Sequence, residues 1–342
     1  MKKPSNIQKI TLKRGKQPSV NEYITNICDG DIPFLSKAIT LIESTNPKHK
    51  DIATRIIKGC LPFANKSVRI GITGVPGVGK STFIEALGHH ILQASKKIAV
   101  LAIDPSSSIN KGSILGDKTR MESLVRNKNV FIRPSPSGNN LGGVARKTRE
   151  TIILCEAAGF DTILIETVGV GQSETMVHSM VDFFLLLKIA GTGDELQGIK
   201  RGIIEMADAI VINKIDNSSK ANVQRALSDF KNALHLYPIK ESTWQPKVTS
   251  CSALNNQNID AIWNIIQDYL VLTKKNAYFQ TRRNLQNEYW LLETLNQNVL
   301  NHFYSDSKIK LELKNALNTI KNQKGSPFEM ADILLNSYFK LK

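Results

Sequence analysis

The stretch Gly74-Val75-Pro76-Gly77-Val78-Gly79-Lys80-Ser81 decides the fold. It fits G-x-x-x-x-G-K-[ST], follows a short apolar run at 68–72 and opens the amphipathic segment 83–92. Glycines at these positions let the backbone curl so that successive N–H groups point inward at phosphate oxygens, and the start of the following helix adds a favourable dipole. Lys80 is then placed to reach the β- and γ-phosphates, and the Ser81 hydroxyl to ligate Mg²⁺. The nucleotide-binding segment runs from Gly74 through Thr82. A chance glycine-rich turn would lack this spacing between a strand and a helix.

Outward from the loop, short β-type runs alternate with helical stretches from residue 68 to about 270. Strands are expected at 68–72, 98–103, 130–133, 162–166, 183–189 and 209–213, with another near 247–250. Such alternation predicts an α/β fold: a mostly parallel P-loop NTPase sheet with helices on both faces. Ligands of these sheets sit beyond the carboxyl ends of the strands. Before the sheet, apolar residues such as Phe34, Ala38, Leu41 and Ile42 recur at helical spacing, and Asn46-Pro47 breaks the pattern between two helices. After residue 274 the β-type runs stop, and 288–303, 309–321 and 327–341 read as helices, the last two separated by Gly325-Ser326-Pro327. The expected organisation is a basic tail (1–20), a helical N-terminal extension (21–65), the P-loop domain (66–273) and a helical C-terminal arm (274–342) that packs on the core or on a second subunit.

A second motif addresses the base. Asn213-Lys214-Ile215-Asp216 directly follows the expected strand 209–213 and fits N-K-x-D, the guanine signature of GTPases. A carboxylate at Asp216 can accept hydrogen bonds from N1–H and the exocyclic N2–H₂ of guanine, donors that adenine does not present in that arrangement. Ser252-Ala253-Leu254 stands where GTPases carry an S-A-[KL] loop, whose backbone N–H can bond guanine O6.

Three acids near the expected phosphates are candidate metal residues beside Ser81: Asp104 after the second strand, Asp117 in the loop that follows, and Glu166 at the end of 162–166. Mg²⁺ takes oxygen ligands and keeps several waters, so one or two carboxylates suffice. Glu166-Thr167-Val168-Gly169 has the form of a D-x-x-G switch with Glu for Asp, and Gly169 is placed to donate its N–H to the γ-phosphate. Lys80, Glu166 and Gly169 are thus the catalytic candidates. Many small GTPases place a water-orienting Gln directly after this glycine. Here that residue is Val170, and Gln172 is the nearest amide, which predicts slow intrinsic hydrolysis that depends on a partner or on dimerisation.

With 342 residues the chain can bury a real core without disulfides. Cys28, Cys60, Cys155 and Cys251 are widely spaced with no CxxC pair, as expected of reduced thiols in a cytoplasmic protein. No run approaches the ~20 apolar residues of a membrane span, and the N-terminus lacks the apolar core of a secretory signal. The formal charge of +15 invites a nucleic-acid reading, but lysines are spread along the whole chain rather than clustered. Residues 2–16 are basic, with no acid before Glu22, and read as a solvated tail.

Longer runs carry a family resemblance. GITGVPGVGKST (71–82), DPSSS (104–108), GSILGDKTRM (112–121), FIRPSPS (131–137), ETVGVGQSE (166–174) and GDELQGIK (193–200) resemble the MeaB/ArgK-type methylmalonyl-CoA mutase-associated GTPases of the SIMIBI class, and AITLIES (38–44) extends the likeness into the N-terminal helices. The likeness weakens in the C-terminal arm. The resemblance implies a G-protein chaperone that protects an adenosylcobalamin-dependent methylmalonyl-CoA mutase and gates its cofactor loading by GTP hydrolysis. By position it makes Lys80 and Ser81 the phosphate and Mg²⁺ residues, Asp104, Asp117 and Glu166 the metal and switch region, and Asp216 the guanine reader. It also implies a mobile loop at Asp194, Gln197 and Lys200 that signals to the mutase, and a homodimer formed through the C-terminal arm. Two alternatives are a protein kinase of an arginine/ornithine transport system and a nickel-inserting GTPase. The first lacks an evident aspartate base and protein-substrate groove; the second wants a Cys/His cluster, which His49, His89, His90, His178, His235 and His302 do not form. The chain has no D-x-H-x-x-G segment for holding cobalamin, so it is expected not to carry that cofactor.

Overall fold

The computed structural model describes residues 18–94, 96–103, 121–135, 141–167, 173–191 and 201–339. Seven strands form one parallel sheet in the order β3-β2-β4-β1-β5-β6-β7. They are β1 (Val68–Gly74), β2 (Ile98–Ile103), β3 (Val130–Ser135), β4 (Thr162–Thr167), β5 (Phe183–Ile189), β6 (Ala209–Asn213) and β7 (Lys247–Ser250). Every expected strand is present, and β1, β3 and β4 run one or two residues further. Parallel strands covered on both faces are apolar throughout. β2, β4 and β6 are accordingly buried over their whole length. The register pairs Ile72 with Glu166, Gly74 with Leu187 and Ile189 with Asn213, so the strand ends that carry the sequence motifs share one edge of the sheet.

Among the described residues three α-helices precede the sheet: α1 (Val20–Cys28), α2 (Ile32–Glu43) and α3 (Pro47–Cys60). The sequence reading placed two helices here, and the extra break has a local cause. Gly30 takes the left-handed conformation (φ 82°), and the Asp31 carboxylate caps α2 by accepting from Phe34 N at 2.8 Å. Asn46 caps α3 in the same way, through Lys48 N at 3.0 Å. Within and beyond the sheet lie α4 (Lys80–Leu92), α5 (Glu122–Val125), α6 (Leu141–Ala157), α7 (Ser173–His178), α8 (Arg201–Met206), α9 (Lys220–His235) and α10 (Ile259–Lys275). Strand alternation divides the core between faces. Phe184 faces the cluster under α1–α3, α6 and α7, whereas Phe183 faces the one under α4 and α10. Leu186, Ile210 and Ile212 pack beneath α8 and α9.

The C-terminal arm consists of α11 (Tyr278–Ser305), α12 (Ser307–Lys321) and α13 (Pro327–Phe339). α11 begins ten residues before the expected 288 because its buried face is polar: Arg282, Arg283, Gln286 and Trp290 recur at helical spacing. These residues grip the amino ends of the strands, opposite the motif edge. Arg283 donates from Nε (2.8 Å) and Nη2 (2.7 Å) to Asp182, and further to the carbonyls of Asn65 (2.9 Å) and Ser67 (2.7 Å). Asp182 also accepts Arg69 N at 2.8 Å, and the Arg69 side chain pairs with Glu156 at 2.9 Å. Gln286 donates to Val181 O and Trp290 to Ser179 O.

His178, at the end of α7, sits edge-on to Phe184 with ring centroids 5.5 Å apart. Burial, aided by the positive charge of Arg282, pulls its pKa down to about 3. The unfolded chain, with a histidine pKa near ~6.5, binds the proton first, so stability is complete above that pH and is lost as pH falls toward 3. Folding stability is expected to drop by about 2 kcal/mol between pH 7 and pH 5 from this group alone. Urea titrations of the unaltered chain and His178→Gln at both pH values check this; equal pH slopes would contradict it.

Candidate nucleotide site

β1 ends at Gly74 and α4 starts at Lys80, so the phosphate-loop motif forms the turn between a central strand and a helix N-terminus. Two glycines are required by contact. A Cβ on Gly74 would lie 2.6 Å from Leu187 O on β5, and one on Gly79 would lie 2.9 Å from Asn213 Nδ2; Gly79 also has φ 92°. Lys80 curls back over the loop, its Nζ donating to Gly74 O (2.7 Å) and Val75 O (3.2 Å), so the amine stands at the loop's mouth. Helical N–H groups without intrahelical partners face the same space.

Ser81 Oγ and Glu166 Oε1 stand 3.5 Å apart, because β4 lies beside β1 and puts Glu166 level with Ile72. Glu166 is buried. A hydroxyl and a carboxylate in this position are hard oxygen donors, the kind that Mg²⁺ takes. Next to them, Thr167 Oγ1 donates to Thr73 Oγ1 at 2.9 Å and ties the two strand ends together.

Asn213 joins three segments. Its Nδ2 donates to Val78 O (2.9 Å) in the phosphate loop, while its Oδ1 accepts from Ala253 N (3.1 Å) and the Cys251 thiol (3.4 Å). Burial, with the Asp216 charge adding, pushes the Cys251 thiol up to about 12, so it stays protonated and can donate. Lys214 adopts φ 60° and reaches across to Gly77 O at 2.7 Å, laying its aliphatic stem over the loop. Asp216 Oδ1 accepts from Ser252 Oγ at 2.5 Å, which fixes the carboxylate beside the 252–255 turn. Ser252 and Ala253 are buried; the Leu254 side chain points to solvent.

The fold therefore gathers Gly74 through Thr82, Glu166, Asn213, Lys214, Asp216 and the Ser252–Leu254 loop along one edge of the sheet. Asp104, Asp117, Gly169, Asp194, Gln197 and Lys200 lie outside the described residues. The sequence reading did not single out Cys251 or the Thr73–Thr167 pair; the strand-end positions of the two threonines were the available signal. Among the described residues no group of three or more His, Cys, Asp or Glu is placed to hold a metal, and no helix is long and apolar enough to cross a membrane.

This arrangement can surround a polyphosphate with backbone donors and one amine, and can offer a carboxylate to two adjacent N–H groups on a base. Comparison with known proteins agrees with that chemistry. Residues 35–308 match the family described as Methylmalonyl Co-A mutase-associated GTPase MeaB. The chain belongs to this family. As a MeaB-family GTPase it is 42% identical over 327 residues to GTPase ArgK of Escherichia coli K12, covering 94% of this chain and 99% of that one. It is 43% identical over 270 residues to the mouse mitochondrial methylmalonic aciduria type A homolog, covering 79% of this chain and 65% of that protein. Among solved structures it is similar to that of a LAO/AO transport system kinase, with TM-score 0.74, 38% identity, and 94% of this chain and 98% of that one covered. The family match extends from α2 to the start of α12 and so includes both ends of the candidate site.

Proposed function

We propose that this MeaB-family GTPase binds guanine nucleotide with Mg²⁺ at the edge just described, and that its turnover protects an adenosylcobalamin-dependent methylmalonyl-CoA mutase and gates loading of that enzyme's cofactor. The observation that carries the nucleotide part is Asn213, which bonds the phosphate loop and the Ala253 loop at once. One side chain thus sets the distance between the phosphate end and the base end. Asp216, oriented by Ser252, reads N1–H and N2–H₂ of guanine. The loop N–H groups and the Lys80 amine hold the β- and γ-phosphates and stabilise charge as it builds during transfer to water. Ser81 and Glu166 hold the metal, directly or through its waters, and Mg²⁺ when bound neutralises phosphate charge. Asp104 and Asp117 complete that region, and Gly169 contributes its N–H.

The mutase part rests on the family and on the name of the mouse relative. In this reading Asp194, Gln197 and Lys200 form the loop that reports nucleotide state to the mutase, the cobalamin stays on the mutase, and the protein works in the cytoplasm. The arm supports a homodimer: Leu292, Leu295 and Val299 on α11 are each more than half exposed. Co-purification with a B12-dependent mutase, with single-turnover GTP hydrolysis measured with and without it, tests the reading. Binding of the mutase and faster hydrolysis in its presence are expected. A fast rate that ignores the mutase, with no co-purification, would sink the chaperone role while leaving the GTPase intact.

A further inference from the structure

Away from the nucleotide edge, beside Asp208 at the amino end of β6, lies a cavity of about 720 Å³, a size within the ~300–1,000 Å³ of small-molecule pockets. α7, α8, the 237–241 segment after α9 and the start of α11 wall it. Its sides are apolar, from Met206, Leu234, Tyr237, Pro238 and Pro246, and its buried end is charged. There Lys240 uses all three of its protons: Nζ donates to Met206 O (3.1 Å), Ala207 O (2.8 Å) and Asp208 Oδ1 (2.8 Å). Arg282, only 9% exposed, also forms part of the wall and does not use all of its own. Its Nη1 donates to Tyr269 Oη at 3.2 Å and stands 3.6 Å from Asp208 Oδ2, but its Nη2 is buried with no hydrogen-bond partner. A buried donor left without an acceptor costs more than a made hydrogen bond contributes, so this atom calls for an acceptor that the described residues do not supply.

We propose that this cavity is a second binding site, for a small organic carboxylate: one anion oxygen accepts from Arg282 Nη2, and the apolar body of the ligand lies against Met206, Leu234 and Tyr237. The charges decide the class. Asp208 faces two cations, Lys240 and Arg282, while the nearby Asp182 is already paired with Arg283, so the buried end carries a surplus positive charge. A carboxylate cancels it and accepts a charge-assisted hydrogen bond at the same time. Glu205 and Glu241 also line the cavity, but both are exposed, where water and salt screen them. An amine would meet the Arg282 charge head-on. A phosphate would bring further negative charge toward the two glutamates and offer nothing to the apolar sides.

His178 lines the cavity and serves as a local reporter. The full-length protein with isotope-labelled histidine, titrated near neutral pH with hexanoate, hexanamide or hexylamine and followed by NMR at the His178 ring, which its loss in His178→Gln assigns, tests this. Hexanoate should shift that resonance saturably, hexanamide should bind at least ~10-fold more weakly, and hexylamine should have no effect. Arg282→Gln should weaken hexanoate by ~10-fold or more. Gly202 stands on the α8 wall, where an added Cβ would meet nothing within 4 Å, so Gly202→Trp can fill the cavity without disturbing the fold and should abolish the shift. The hexanamide comparison and Gly202→Trp both leave Arg282 in place, and they decide the matter even where Arg282→Gln does not fold. Equal affinity for hexanoate and hexanamide, a hexanoate shift that survives Gly202→Trp, or no saturable shift at all would overturn the proposal.

Discussion

Asp216→Asn is expected to weaken GTP and GDP binding by roughly 100-fold while weakening xanthine nucleotides far less, so that the preference between the two bases collapses or reverses. The reasoning is one of donors and acceptors. A carboxylate offers two acceptors to the paired N–H groups of guanine, and hydrogen bonds to a charged group contribute about 1.5–3 kcal/mol each. An asparagine keeps one acceptor and turns a donor toward the other N–H, leaving a donor facing a donor. Xanthine, with an oxygen in place of the exocyclic amine, accepts from that new donor. The Ser252 hydroxyl that now bonds Asp216 Oδ1 at 2.5 Å can bond the amide oxygen as well, so the substitution should not disturb the turn. Equilibrium titration with fluorescent guanine, xanthine and adenine nucleotides reads the ratio directly. An unchanged guanine-to-xanthine preference would contradict the assignment of Asp216.

The sheet could be read in the sequence because its strands are covered on both faces. Continuous apolar runs such as Ile98-Ala-Val-Leu-Ala-Ile103 have no other common use beside short helical stretches. The loop from Gly74 to Ser81 was legible for a different reason: glycine spacing there is dictated by backbone contact, as the close neighbours of Gly74 and Gly79 demonstrate. What stayed hidden was polar burial. The start of α11 buries Arg282, Arg283 and Gln286, residues that a hydrophobic period counts as solvent-facing. The division between α1 and α2 was missed because the apolar stripe continues across it, and only Gly30 and the Asp31 cap mark the break. At the site, the residue types were readable but their mutual bonds were not. Nothing in N-K-x-D announces that Asn213 spans from Val78 O to Ala253 N, since both partners are backbone atoms far away in the chain.

Arg283→Met is expected to lower folding stability by about 3–5 kcal/mol, the range for removing one partner of a buried ion pair. The guanidinium makes four hydrogen bonds, two of them to Asp182, and both residues are almost fully buried. Without it, Asp182 keeps Arg69 N as a donor but loses its ion-pair partner, and the carbonyls of Asn65 and Ser67 each lose a donor. Methionine fills most of the space, so the cost is electrostatic rather than a cavity. Two measurements separate this from a general loss of packing. Arg283→Met with Asp182→Asn should cost clearly less than the sum of the single changes, because the second change removes the stranded charge. GTP affinity of the folded Arg283→Met protein should stay within about twofold of the unaltered chain, since Asp182 lies at the amino ends of the strands and Asp216 and Lys80 at their carboxyl ends. Urea unfolding and nucleotide titration supply both numbers. A stability loss below about 1 kcal/mol would mean that the charges of Arg283 and Asp182 are well compensated by their neighbours, and that α11 is held to the sheet by Gln286 and Trp290 instead.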